Sequence, residues 1–156
     1  MVAQLDTKTV YTFMDSLISI KKYVETAKNL GYQTLGIMDI DNLYGAYHFM
    51  ETATEQGIQP LLGIEMTLDY TGFPLNLRFL ALDSQGYRNL MKLSTLKMIG
   101  KSKWEEFQHL LEGIAIIVPV FEGIEALDLG REFYIGVFPD TPKQAFSHAT
   151  LPLQTV

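Results

Sequence analysis

A chain of 156 residues, 47% hydrophobic and 19% charged, can bury a substantial core, which excludes a disordered segment. Twelve basic against eighteen acidic residues leave a net charge of −6, which weighs against DNA binding, because phosphate contacts need a basic surface. The chain has no cysteine, hence no disulfide and no thiolate metal site.

"VAQLD" (2–6) is expected to be a short first strand. Leu17, Ile20, Val24, Ala27 and Leu30 then recur at spacings of three and four, which predicts a helix ended by Gly31. "TLGIM" (34–38) is short and apolar, as a buried parallel strand should be. Ala46, Phe49, Met50 and Ala53 mark a second helix that stops at Gly57.

"PLLGIEMTL" (60–68), a turn at "DYTGFP" and "LNLRFLAL" (75–82) predict a strand and its return. Ser84 is suited to cap a helix with Tyr87, Leu90, Met91 and Leu93 facing the core. A further helix is expected around "KWEEFQHLLE", then a strong strand at "IAIIVPV" (114–120). "EGIEALDLG" has room for a couple of turns, and "EFYIGVF" (132–138) and "LPLQTV" (151–156) read as two more strands. Alternation of this kind predicts an α/β fold with mostly parallel strands. A last apolar strand without a following neighbour suggests that 1–156 is a fragment of a longer domain.

No apolar run reaches the ~18 residues of a bilayer span, and "MVAQLDTKTV" lacks the regions of a secretory signal. A cytoplasmic protein without membrane contacts is the expectation. Glycine-rich phosphate cradles, a GxSxG elbow and clustered histidines are all absent. His48, His109 and His148 read as surface or packing residues, and the basic run "KMIGKSK" (97–103) as a solvated turn.

The acidic residues fall at more suggestive places. Asp6 ends the first predicted strand, Asp39 ends the second and Glu65 lies in the third, where α/β folds bind ligands. Asp39 and Asp41 could hold a hard cation in "MDIDNLYG". Alternatively, Asp41 starts the following helix and Asp39 binds loop amides, which spacing favours.

In this order, "YTFMDS", "MDIDNLYG", "PLLGIE" and "GYRNLMKLST" resemble the PHP domain that opens the alpha subunits of bacterial C-family replicative DNA polymerases. "AQLDTKTVYTFMDS" resembles the low-GC Gram-positive type of this alpha subunit of DNA polymerase III. The resemblance implies a distorted (β/α)7 barrel, here incomplete. In metal-bearing members, His, Asp, Glu and Cys at the strand ends bind metals for phosphoester hydrolysis. The implied parent polymerase would use Mg2+ and would bind DNA and replisome proteins, with its catalytic aspartates outside this chain.

The family's first metal motif, H-x-H-[ST]-x-[YF]-S-x-x-D, aligns with Asp6 to Asp15, so Asp6 and Lys8 stand where histidines would. In the second, D-H-x-x-[LM]-x-G, Asp39 is kept and Ile40 replaces histidine. Glu65 matches a family glutamate, and Asn76 stands where a histidine is common. Six positions are therefore vestigial (Asp6, Lys8, Asp39, Ile40, Glu65 and Asn76), and no metal or catalytic residue is expected here. Lys8 is expected to form an ion pair with Asp39 or Glu65, in place of a metal.

The implied role is a structural scaffold packed against the rest of the polymerase alpha chain. Weak Mg2+ binding by Asp6, Asp39 and Glu65 is a lesser possibility. A PHP-type phosphoesterase or 3′–5′ exonuclease, and a docking module for a replisome partner, are the alternatives.

Overall fold

In the computed structural model, residues 3–121 and 124–136 are described. They form one curled six-stranded sheet in the order β1 (Ala3–Gln4), β2 (Thr34–Ile40), β3 (Gln59–Tyr70), β4 (Phe73–Ala81), β5 (Ile114–Pro119), β6 (Tyr134–Gly136). Neighbouring pairs β1–β2, β2–β3 and β5–β6 are parallel, and β4 runs antiparallel to both β3 and β5. The fold is therefore the mostly parallel α/β arrangement expected, curled as a half-barrel.

Helix α1 (Ile20–Asn29) begins where Ser19 accepts a hydrogen bond from the Lys22 amide and ends before Gly31, whose φ is +82°. Ile20, Val24 and Ala27 are buried, as predicted. Leu17 and Leu30 are not: Leu17 precedes the helix and Leu30 caps it, so both side chains face solvent. Helix α2 (Ala46–Glu55) buries Phe49 and Ala53, with Met50 half-buried. The cap of α3 (Ser84–Met98) is Asp83, which accepts from the Gly86 amide, rather than Ser84. Leu90 and Leu93 are buried as expected, but Met91 points outward.

The predicted helix around Trp104 is only one turn, α4 (Trp104–Phe107), followed by a 3-10 turn at Gln108–Leu110. Trp104 and Phe107 anchor it in the core. Its backbone then turns into β5, which limits its length. A single 3-10 turn at Ile124–Ala126 fills the space where a couple of turns were expected. The first strand ends at Gln4 rather than at Asp6, because the chain leaves the ladder there to reach the mouth of the sheet. The expected strand at 151–156 and His148 lie outside the described residues.

The β3–β4 hairpin closes through Thr71 (φ +52°) and Gly72 (φ +86°), two left-handed residues in a two-residue loop. The main core lies between the sheet and the helices, around Leu35, Ile37, Phe49, Ile64, Phe79 and Phe107. A smaller apolar cluster of Met38, Leu80 and Ala115, with Leu61 beside it, lies apart from the helices on the other face of the sheet.

Candidate functional site: a salt-bridge network at the mouth of the sheet

Alternation along each strand separates the predicted site residues into two groups. On β2, Asp39 shares a face with the core residues Leu35 and Ile37, whereas Ile40 shares the opposite face with Met38. On β3, Glu65 lies between the core residues Ile64 and Met66 and so faces the same way as Ile40. Cross-strand register pairs Ile40 with Glu65 and Glu65 with Arg78, making one row across the face that also carries Met38 and Leu80.

The loop after β1 delivers Asp6 and Lys8 to this row. It passes so close to β2 that a Cβ on Gly36 would stand 2.6 Å from the Leu5 carbonyl oxygen, so glycine is required there. The Lys8 ammonium contacts the Asp6 carboxylate and stands 2.8 Å from Glu65 Oε2. From the other side, Arg78 Nε donates to Asp6 Oδ2 at 2.6 Å, and its Nη2 lies 3.2 Å from Glu65 Oε2. Asn76 completes the ring, donating to Glu65 Oε1 at 2.9 Å and accepting from Arg78 Nη1 at 2.8 Å.

Among the described residues, two cations and two carboxylates of this network balance, with side chains only 13–21% exposed. Among the described residues no hydrogen bond aligns on Glu65 Oε2, and charge attraction holds that oxygen between Lys8 and Arg78. Burial is the largest influence on Asp6 and pushes its carboxyl up. Hydrogen bonds from Lys8 and Arg78, with their charges, together outweigh it and hold the carboxyl below the ordinary 3.8.

Asp39 belongs to a different group. It is 2% exposed, and it accepts hydrogen bonds from the Thr9 amide (2.7 Å), the Thr9 hydroxyl (2.7 Å) and the Thr12 hydroxyl (2.6 Å). The Thr12 hydroxyl in turn accepts from the Ile40 amide at 3.2 Å. Of the two partners expected for Lys8, Glu65 is met and Asp39 is not; Asp6 is its second partner. Facing the opposite side of the strand, the Asp39 carboxylate pins the loop of residues 7–12 to the end of β2.

Asp41 does not start α2, which begins at Ala46 after Gly45. It sits in the intervening loop at φ +58°, and its amide donates to the Glu65 carbonyl. Burial raises the Asp41 carboxyl above its ordinary value, Lys97 opposes this, and Glu65 adds to it. A raised carboxyl stabilises the fold most below pH 3.8, and that contribution is lost as pH rises through the folded value. Asparagine tolerates a left-handed backbone better and carries no charge. Asp41→Asn should therefore raise the melting temperature slightly at neutral pH, the part of the gain that comes from removing the charge vanishing below pH 3.8 and the backbone part remaining. Thermal melts at pH 7 and pH 3 check this; a loss of stability at pH 7 would contradict it.

Arg78, Thr9 and Thr12 were missed in the sequence. Arg78 follows Asn76 by two positions on a strand, which places them on one face. Thr9 and Thr12 occupy the hydroxyl positions of the first family motif. His48 and His109 are exposed, as expected. In the basic run, Lys97 donates to the Thr67 carbonyl and Lys101 pairs with Glu106 at 2.7 Å. No helix among the described residues is long and apolar enough to cross a membrane.

The model of the PHP domain matches residues 4–136. The chain is 47% identical, over its whole length, to DNA polymerase III subunit alpha of Streptococcus pyogenes serotype M1, and spans 15% of that relative. It is 29% identical to DNA polymerase III subunit alpha of Rickettsia bellii, where 77% of this chain matches 11% of the relative. Among solved structures, a presumed metal-dependent phosphoesterase from Bifidobacterium adolescentis superposes with a TM-score of 0.56 at 14% identity, covering 75% of this chain and 66% of that one. An amidohydrolase from Chromobacterium violaceum, solved with sulfate and no metal, gives 0.55 at 11% identity over the same shares. With its sheet, its motif order and these matches in agreement, the chain belongs to the PHP-domain family.

Proposed function

We propose that this chain is the N-terminal PHP segment of the alpha subunit of a C-family replicative DNA polymerase, and that it serves there as a structural scaffold. Identity of 47% to a polymerase subunit, of which the chain spans only 15%, supports the parent. The parent would be a cytoplasmic enzyme that copies a DNA template using deoxynucleoside triphosphates and Mg2+, through residues outside this chain.

One observation carries the scaffold role. Lys8 and Arg78 lie between Asp6 and Glu65 and neutralise both acids. The donor set does not fit the metal cluster of the family's phosphoesterases. Histidine is missing from the row, Ile40 offers no lone pair, and Asp39 is turned to the other face. Among the described residues no three His, Asp or Glu side chains gather as a metal site. Divalent binding would have to expel two cations first.

Purified protein equilibrated with Zn2+ or Mn2+ and then desalted should retain less than about 0.1 equivalent of metal, and should release no phosphate from a model ester. Stoichiometric metal together with phosphate release would overturn the scaffold reading in favour of a PHP-type phosphoesterase or 3′–5′ exonuclease.

A further inference from the structure

Thr12 of the "YTFMDS" motif is explained by its bond to Asp39, but the motif's apolar residues are not. Between Val10 and Ile18 the loop carries Val10, Tyr11, Phe13, Met14, Leu17 and Ile18. Phe13, Met14 and Leu17 are 90%, 92% and 97% exposed, and the other three are 39–45% exposed. A cluster of this kind in one short loop is far from the scattered single residues of an ordinary surface.

The loop is held rigidly. Val10 donates to the Ile18 carbonyl at 3.1 Å, closing its base. Thr9 and Thr12 fasten it to Asp39, and Asn42 donates to the Tyr11 carbonyl at 3.1 Å. The Tyr11 ring lies where a Cβ on Gly45 would stand, 2.7 Å from the nearest ring atom. Met14 is held at φ +63°, a conformation an unbranched side chain adopts only when its surroundings enforce it. The backbone thus presents Phe13 and Met14 outward, as an interface would.

We infer that the loop of residues 10–18 is a permanent interface, covered in the intact protein by the remainder of the same polypeptide. The inference rests on the proposed polymerase parent. Two facts select this occupant. The 47%-identical relative spans this chain with 15% of its length, leaving most of such a polypeptide available as a cover. The patch is also nearly free of charge, with Asp15 alone between Val10 and Ile18, as in obligate interfaces rather than transient ones. A second copy is the weaker occupant, since each copy brings a net charge of −6.

Leu17→Cys and, as an exposed reference on α2, Glu55→Cys are introduced one at a time into the full-length parent, and residues 1–156 contain no other cysteine to label in the same peptides. Maleimide labelling is followed by peptide mass mapping. At Leu17→Cys the native protein should label at least about tenfold more slowly than at Glu55→Cys, and equally fast in urea, because a covered site reacts only on opening. Equal rates in the native parent would overturn the inference. So would slow labelling that recovers on dilution with loss of a dimer, or that requires an added second protein. The parent reading fails separately, if peptide mapping of the native protein finds no polymerase sequence beyond residue 156.

Discussion

Replacing Asp39 by alanine should destabilise the fold by about 3–5 kcal/mol, because it strands several buried donors at once. The Thr9 amide and the hydroxyls of Thr9 and Thr12 all bond to this carboxylate, and Thr9 and Thr12 are 0% and 3% exposed. Thr12→Val should cost less, about 1–3 kcal/mol, since it removes one donor to Asp39 and the acceptor of the Ile40 amide. Denaturant unfolding measures both. The sign separates the two meanings of this aspartate. A metal ligand in a cluster of acids repels its neighbours when no metal is bound, so its removal would raise stability. A stability gain for Asp39→Ala would return Asp39 to a ligand role.

Lys8→Met should cost about 1–4 kcal/mol at neutral pH, because Asp6 and Glu65 would share a single cation, Arg78. The pH dependence follows from Asp6. Its folded carboxyl lies below the ordinary 3.8, so its pairing contributes full stability above that value and loses it as pH falls through the folded value. The difference between the native protein and Lys8→Met should therefore be constant near neutrality and shrink below pH 3.8. Adding Glu65→Gln to Lys8→Met should cost less than the sum of the two changes, since each disrupts the same 2.8 Å contact. An unchanged melting temperature for Lys8→Met would mean that the ammonium is merely solvated, and the proposed replacement of metal by charge would fall with it.

Most of the fold was legible because burial leaves a period in the sequence. Ile20, Val24 and Ala27 marked α1 at helical spacing, and the hairpin announced itself through Thr71-Gly72 between two apolar runs. Failures occurred at ends. Leu17 continues the helical period on paper, yet its segment is an ordered loop, because the hydroxyls and amides of residues 9–12 find a buried carboxylate instead of helical partners. Asp41 sits before a helix as a cap would, yet the loop runs on to Gly45 and leaves it in a left-handed conformation. Trp104 opens what reads as a long amphipathic helix, but burial of Trp104 and Phe107 bends the chain into β5 after one turn.

The candidate site divides in the same way. The sequence, set against the motifs of the family it resembles, determined that no histidine or cysteine stands at Asp6, Lys8, Ile40 or Asn76, and therefore that imidazole and thiolate ligands are missing from those positions. Only the tertiary structure decided which carboxylate meets which cation. Asp39 and Ile40 are adjacent in sequence but point to opposite faces of β2, while cross-strand register sets Glu65 opposite Arg78 and the loop after β1 carries Asp6 to them. Ligand chemistry resides in the identity of a side chain, which a sequence records; pairing depends on distances of a few ångströms between strands far apart in the chain, which exist only once the sheet has curled and set its register.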